Sequence, residues 1–190
     1  MASFVISPYQ SGWCDRGAEL AAQIKTALGP LALRVDHIGS TSIPGMAAKP
    51  VYDFQISVAD LEVAAEAFDE PLVAFGLTRR PYEQDHVPAG GQDLPELWRK
   101  RLWGKSAPGG ERINLHCRVA GSPNERLALL FRDWFRTHPE AVPAYARFKL
   151  VLADAVPDLD VYTDVKDPVV DLVIAMAETW AAETGWSPGR

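Results

Sequence analysis

The segment Asp36 to Val58, DHIGSTSIPGMAAKPVYDFQISV, concentrates residue types that handle phosphate. Gly39-Ser40 follows an apolar, strand-like run, and about a dozen residues later a second such run carries Asp53. Glycine lets a backbone approach a phosphate closely, while a serine hydroxyl and exposed N–H groups can hydrogen-bond its oxygens. Thr41 adds a second hydroxyl and Lys49 a positive charge. An aspartate placed like Asp53 can hold Mg²⁺ bridged to the same phosphates. A Gly-Ser pair alone is most often a plain turn, so the chemistry depends on what the chain brings beside it. Two better-known phosphate motifs are excluded. Lys49 is misplaced for a Walker loop, and the dinucleotide fingerprint GxGxxG is absent.

The partners must come from strand faces, where alternate residues point the same way. On Val51–Val58, Asp53, Gln55 and Ser57 share one face. On Arg112–Val119, Asn114, His116 and Arg118 share one face, opposite Ile113, Leu115, Cys117 and Val119. Upstream, Arg99, Arg101 and Trp103 alternate together. If the three strands are neighbours, their polar faces combine into one site; otherwise they form a solvated sheet face. His37 points away from its neighbour Asp36 and is read as a satisfied turn-side histidine. His86 lies in a polar loop and His138 near a helix end. Cys117 points away from the polar face, and no Ser-His-Asp or Cys-His arrangement is visible.

The surrounding elements follow from periodicity and punctuation. Leu20, Ala21, Ile24, Ala27 and Leu28 recur at helical spacing, which predicts a helix over Asp15–Leu28 ended by Gly29-Pro30. A strand is expected over Ala32–Ile38, a second helix over Asp60–Phe75 with a break near Pro71, and a mobile loop over Pro81–Pro95. Glu96–Lys105 and Arg112–Val119 read as a hairpin around Ser106–Glu111. Ser122-Pro123-Asn124-Glu125 has the form of a capping box opening a helix to Thr137. Two more helices are expected over Glu140–Ala155 and from Asp167-Pro168 to Glu183. The layout is one α+β domain spanning residues 1–190, with a mixed α/β part to about 120 and a helical extension beyond it.

Bulk properties narrow the function. The 190 residues are 47% hydrophobic and 23% charged, with net charge −6. That is globular composition, long enough to bury a sizeable core. A duplex nucleic acid partner is not expected, because such proteins present a basic surface. Cys14 and Cys117 stand far apart and outside any CxxC, which suggests reduced thiols. No apolar run reaches membrane-spanning length and the first residues lack a signal-peptide pattern, so a cytoplasmic location without membrane contact is expected.

The stretch HIGSTSIPGMAAKPVYDFQISV resembles the signature of the bacterial GrpB family. So do NLHCRV, FRDWFRTHPEAVPAYARFK and YTDVKDPVVDLVIAMAETW, and the likeness covers nearly the whole chain. The resemblance implies a nucleotidyltransferase fold of the DNA polymerase β type, a mixed sheet with flanking helices and a Gly-Ser loop at a nucleotide cleft. Gly39 and Ser40 match the Gly-Ser element, and Asp53 the first carboxylate of an Asp-x-Asp strand. Gln55 replaces the second carboxylate, and His116 stands where a third is expected. Asp53, Gln55 and His116 are therefore the candidate metal ligands, a weak Mg²⁺ clamp that could suit a softer ion. Lys149 and Lys166, each four residues after a tyrosine, would face the cleft. The expected activity is metal-assisted transfer of a nucleoside monophosphate to an unidentified acceptor, with Mg²⁺ or Mn²⁺ and a nucleoside triphosphate. Gly39, Ser40, Thr41, Lys49, Arg99, Lys149 and Lys166 would hold phosphates. Asp53 would bind metal, Arg101 would neutralise developing charge, and His116 would be a ligand or general base. The alternative is a non-catalytic nucleotide-binding or accessory domain working with a protein partner, as in some dephospho-CoA kinases that carry a similar domain.

Overall fold

A computed structural model describes residues 5–105 and 110–189. Its frame is a five-stranded mixed sheet of order β1-β2-β5-β4-β3. The strands are β1 (Arg34–Ile38), β2 (Val51–Val58), β3 (Thr78–Arg80), β4 (Arg101–Lys105) and β5 (Arg112–Val119). β2 and β5 run parallel at its centre, and the other three pairings are antiparallel. The β4–β5 hairpin forms, but its first arm is shorter than the expected Glu96–Lys105, because Pro95–Trp98 is a 3-10 turn and the strand begins at Arg101; residues 106–109 lie outside the described residues. β3 was not visible in the sequence, because Thr-Arg-Arg carries no apolar alternation and all three residues are exposed.

One sheet face is apolar and covered by α1 (Trp13–Leu28) and α2 (Leu61–Ala74). Leu20, Ile24, Phe68 and Leu72 from the helices pack there on Phe54, Ile56, Trp103 and Leu115 from the strands. Asp60 caps α2 by accepting from the backbone N–H groups of Glu62 and Val63. Pro71 sits inside α2 and does not break it. The other sheet face carries the polar side chains. Over it lie α3 (Pro123–Thr137), α4 (Val142–Ala155) and α5 (Leu159–Thr184), which share a second core with the segment between β1 and β2. Ile43, Met46, Trp134, Phe135, Tyr145 and Ala177 are buried in it.

Two helix starts differ from expectation. α5 begins at Leu159, capped by Asp158, and runs through Pro168. A local Asp-Pro start signal is overridden because Tyr162, Val173, Ile174 and Ala177 bury one continuous face. At α3 the Ser122 side chain does not cap the helix; its hydroxyl bonds the Val119 carbonyl instead. Glu125 is buried, accepting from Ser57 and Arg34 at 2.6 Å each. The capping-box acid is thus used to fasten α3 to the sheet.

Candidate phosphate-binding cleft

The β1–β2 connection begins at Gly39, whose φ of +68° is left-handed backbone that favours glycine. A Cβ there would lie 2.6 Å from Asp53 Oδ2, so the bare Cα makes room for that carboxylate. Ser40–Ser42 then form a 3-10 turn at the mouth of a cleft of about 500 Å³ between the polar sheet face and the helical layer. Thr41 borders the cleft, but its hydroxyl is committed: it donates to the Val51 carbonyl at 3.0 Å and contacts His37 Nε2 at 3.0 Å. Thr41 therefore sets the turn rather than offering its hydroxyl to a ligand. Burial pushes His37 down to about 4, and its ring packs against Phe54 on the apolar face.

Parallel registry places Asp53 beside Asn114 and Gln55 beside His116. Asp53 Oδ1 accepts from the Asn114 amide at 2.8 Å, and His116 Nε2 stands 3.9 Å away. Burial opposes ionisation of Asp53, but His116, Asn114 and Lys49 outweigh it and hold its carboxyl below the ordinary value. Burial lowers the His116 imidazole, and Arg118 and Lys100 push the same way.

The opposite wall is cationic. Lys149 of α4 is 3% exposed, and its Nζ donates to Ser40 Oγ at 2.8 Å. Burial drives its pKa down to about 7, and the charges of Lys166 and Lys49 add to the effect. Lys49 is itself lowered, chiefly by burial, and stacks over Tyr162 at 5.5 Å. Lys166 and Arg112 complete the positive lining. Asp53 is the one acidic residue bordering the cleft among the described residues.

Three more expected site residues are corrected. Arg101 pairs with Cys117 across β4–β5 and so shares the apolar, helix-covered face. Its guanidinium reaches Glu62 at the start of α2, at 2.7 and 2.8 Å. Arg99 binds the same glutamate. Neither arginine borders the cleft; the alternation of Arg99, Arg101 and Trp103 is real but points the wrong way. Gln55 faces the polar side yet is fully buried. Its oxygen accepts from Arg118 at 2.6 Å and its nitrogen donates to the Glu125 carbonyl at 3.1 Å. Gln55 is thus closed to a ligand, and no group of three His, Cys, Asp or Glu residues able to hold a metal exists among the described residues. A two-metal carboxylate clamp does not fit. Of the three expected metal ligands, Asp53 and His116 remain at the cleft.

Sequence reasoning also missed residues. Asn114 orients Asp53 and was legible from alternation with His116. Tyr145, Tyr162 and Arg112 line the cleft; the Tyr-x-x-x-Lys spacing on α4 and α5 was the available signal.

Two substitutions probe this geometry. Gly39→Ala is expected to weaken ligand binding tenfold or more, because it displaces Asp53 as well as straining the turn. Gly90→Ala, at another positive φ but with open space around it, should leave binding unchanged in a parallel titration. Gln55→Glu is expected to bring no gain in cation affinity. It places a carboxylate against the Glu125 carbonyl and removes a buried donor, costing about 1–3 kcal/mol, readable as a lower urea midpoint.

The comparisons with known proteins agree with this architecture. A dephospho-CoA kinase of Mycolicibacterium paratuberculosis is 37% identical over 195 residues, covering 95% of this chain and 47% of that protein. The UPF0157 protein BH1888 of Halalkalibacterium halodurans is 30% identical over 177 residues, covering 93% of this chain and 83% of that protein. The chain thus spans about half the length of the kinase relatives. The crystal structure of the conserved protein GrpB from Enterococcus faecalis superposes with a TM-score of 0.70 at 27% identity, covering 93% of this chain and 99% of that one. The family described as GrpB protein matches residues 3–175, and on that match the chain belongs to the GrpB family, with the α+β fold that it shares with the Enterococcus faecalis protein.

Proposed function

We propose that this chain is a nucleotide-binding domain whose cleft takes the phosphate chain of a nucleoside triphosphate. The observation that carries the reading is Lys149. It is a buried lysine bonded to Ser40, and Lys166 and Lys49 each oppose its charge more than Asp53 supports it. A buried charge is costly unless paired, and an anionic phosphate at the Gly39–Ser40 turn is the counter-ion that this arrangement lacks. Lys49, Lys166 and Arg112 extend the positive wall along which further phosphates lie.

Binding rather than catalysis is favoured by the carboxylates. Gln55 is locked into the protein interior, which leaves Asp53 alone where two-metal phosphoryl transfer uses several acids. In the kinase relatives the matched region is under half of the protein, the arrangement of a domain that works beside another. Metal-assisted nucleotidyl transfer to an unidentified acceptor is the second reading, favoured by the ionised Asp53 at the Gly-Ser turn. A bound divalent ion would be held by Asp53 and His116 and would screen phosphate charge.

A thermal-shift panel of the four nucleoside triphosphates and tripolyphosphate, with and without Mg²⁺ or Mn²⁺, tests the reading. At a hundredfold excess over Kd, binding stabilises by about 2.7 kcal/mol, which raises Tm by roughly 5–10 °C at this chain length. Absence of any shift would overturn the binding role. Release of pyrophosphate by the wild type, lost in Asp53→Asn, would establish transfer instead.

A further inference from the structure

Ser40 and Lys149, 109 positions apart in the chain, meet across the cleft as a hydroxyl and an amine 2.8 Å apart. A nucleophile and its base exchange a proton at that distance. Ser40 is on the turn that Gly39 opens and lines the cleft, so its oxygen is within reach of a bound molecule. The Lys149 amine is fixed from a second side, 5.3 Å from the centroid of the Tyr145 ring. Burial and the charges of Lys166 and Lys49 bring it to about 7, so near neutral pH much of the protein carries an uncharged amine. A charged amine donates to Oγ, whereas an uncharged one accepts the Oγ proton. Leu127, Phe131 and Val170 give the same cleft an apolar stretch. It adjoins the pair, because the Phe131 and Tyr145 rings touch with centroids 5.7 Å apart.

We propose that Ser40 and Lys149 form a serine–lysine dyad that hydrolyses carboxylic esters with an apolar acyl group, an activity that goes beyond phosphate binding and does not depend on it. Uncharged Lys149 takes the Ser40 Oγ proton as Oγ bonds to the ester carbonyl carbon. The carbonyl oxygen gains the negative charge, which Lys166 and Lys49 in the cleft lining offset. Collapse re-forms the carbonyl, breaks the bond to the alcohol oxygen and passes the proton from Lys149 to the departing alcohol. Water, deprotonated by the same amine, then adds to the acyl-Ser40 carbonyl. The carboxylic acid leaves, and Ser40 and Lys149 are restored. A phosphate at the turn favours charged Lys149, so it switches the dyad off as well as blocking it.

The test is labelling of the full chain by an alkyl fluorophosphonate, which bonds to an activated serine and releases fluoride. Wild type should gain one adduct, located on Ser40 by peptide mass spectrometry, at a rate that rises with pH and is half-maximal near 7. It should also turn over p-nitrophenyl butyrate, and tripolyphosphate should suppress both reactions. Ser40→Ala should lose the adduct. Lys149→Arg, which stays protonated, should slow labelling and turnover by about a hundredfold or more. Its retained charge keeps tripolyphosphate binding as a report that the variant is folded. No adduct on Ser40, or one formed as fast in Lys149→Arg, overturns the dyad and leaves the phosphate site standing. A Lys149-dependent adduct on Ser40 in a protein that does not bind tripolyphosphate supports the dyad and overturns the phosphate reading instead.

Discussion

Lys149→Met is expected to make the ligand-free protein more stable and to abolish its principal anion contact. Burial holds the Lys149 pKa near 7, against about 10.4 in an unfolded chain. A folded pKa below the unfolded one means that the native state binds fewer protons between those values. From this group, stability therefore rises with pH across about 7 to 10.4, and the penalty is fully present below 7. Methionine fills similar volume without charge, which removes a cost on the order of a few kcal/mol at pH 7. The same change deletes a buried charge that meets phosphate, and losing such a contact costs about 2–5 kcal/mol. Affinity for tripolyphosphate should fall by two orders of magnitude or more while the urea midpoint rises. A midpoint that falls, with affinity retained, would mean that Lys149 is structural.

Asp85→Ala is expected to produce the largest loss of stability. Asp85 accepts from Lys100 at 2.6 Å, Arg118 at 2.7 Å and Asn124 at 3.0 Å. Arg118 in turn holds Gln55. Burial opposes Asp85's ionisation, but Arg118 and Lys100 drive its pKa far below the ordinary carboxylate range. Its contribution is present above about pH 4 and is lost only as pH falls toward the depressed native value. Removing it strands two buried cations, costing about 3–5 kcal/mol and lowering Tm by roughly 10 °C. Asp93→Ala, on the exposed part of the same loop, should stay within about 0.5 kcal/mol. Thermal unfolding of both variants at pH 7 checks the contrast, and equal Tm values would remove the network from the account.

Asp85 also shows where sequence reading stops. The segment Pro81–Pro95 is polar and glycine-containing, and its composition suggests a mobile loop. Yet Asp85 ties it to β5 and α3, and Asp171 of α5 accepts from Ala89 N at 2.9 Å and contacts His86 at 3.2 Å. Such long-range pairings leave no local pattern. Alternation correctly paired Asp53 with His116 on one face, because period two is local. It failed for Arg101, because alternation groups residues without saying which group meets solvent. A buried cation bonded to an acid at the edge of α2 has the same sequence pattern as a cleft arginine. Gln55 was correctly placed on the polar face, but its burial depends on Glu125 and Arg118, 70 and 63 residues away. The Pro168 error has a similar origin, since tertiary burial of Tyr162 and Val173 carries α5 past its own local stop signal.

The most direct test of the cleft as a phosphate site is calorimetric titration of ATP without divalent metal, near pH 7.5, in two buffers of different ionisation enthalpy. An anion beside Lys149 favours its charged form, so binding should draw a proton from solution. The account predicts one saturable site whose apparent enthalpy changes between buffers by the proton taken up, with that difference absent in Lys149→Met. Absence of saturable heat, or binding with no proton uptake and no dependence on Lys149, would contradict it.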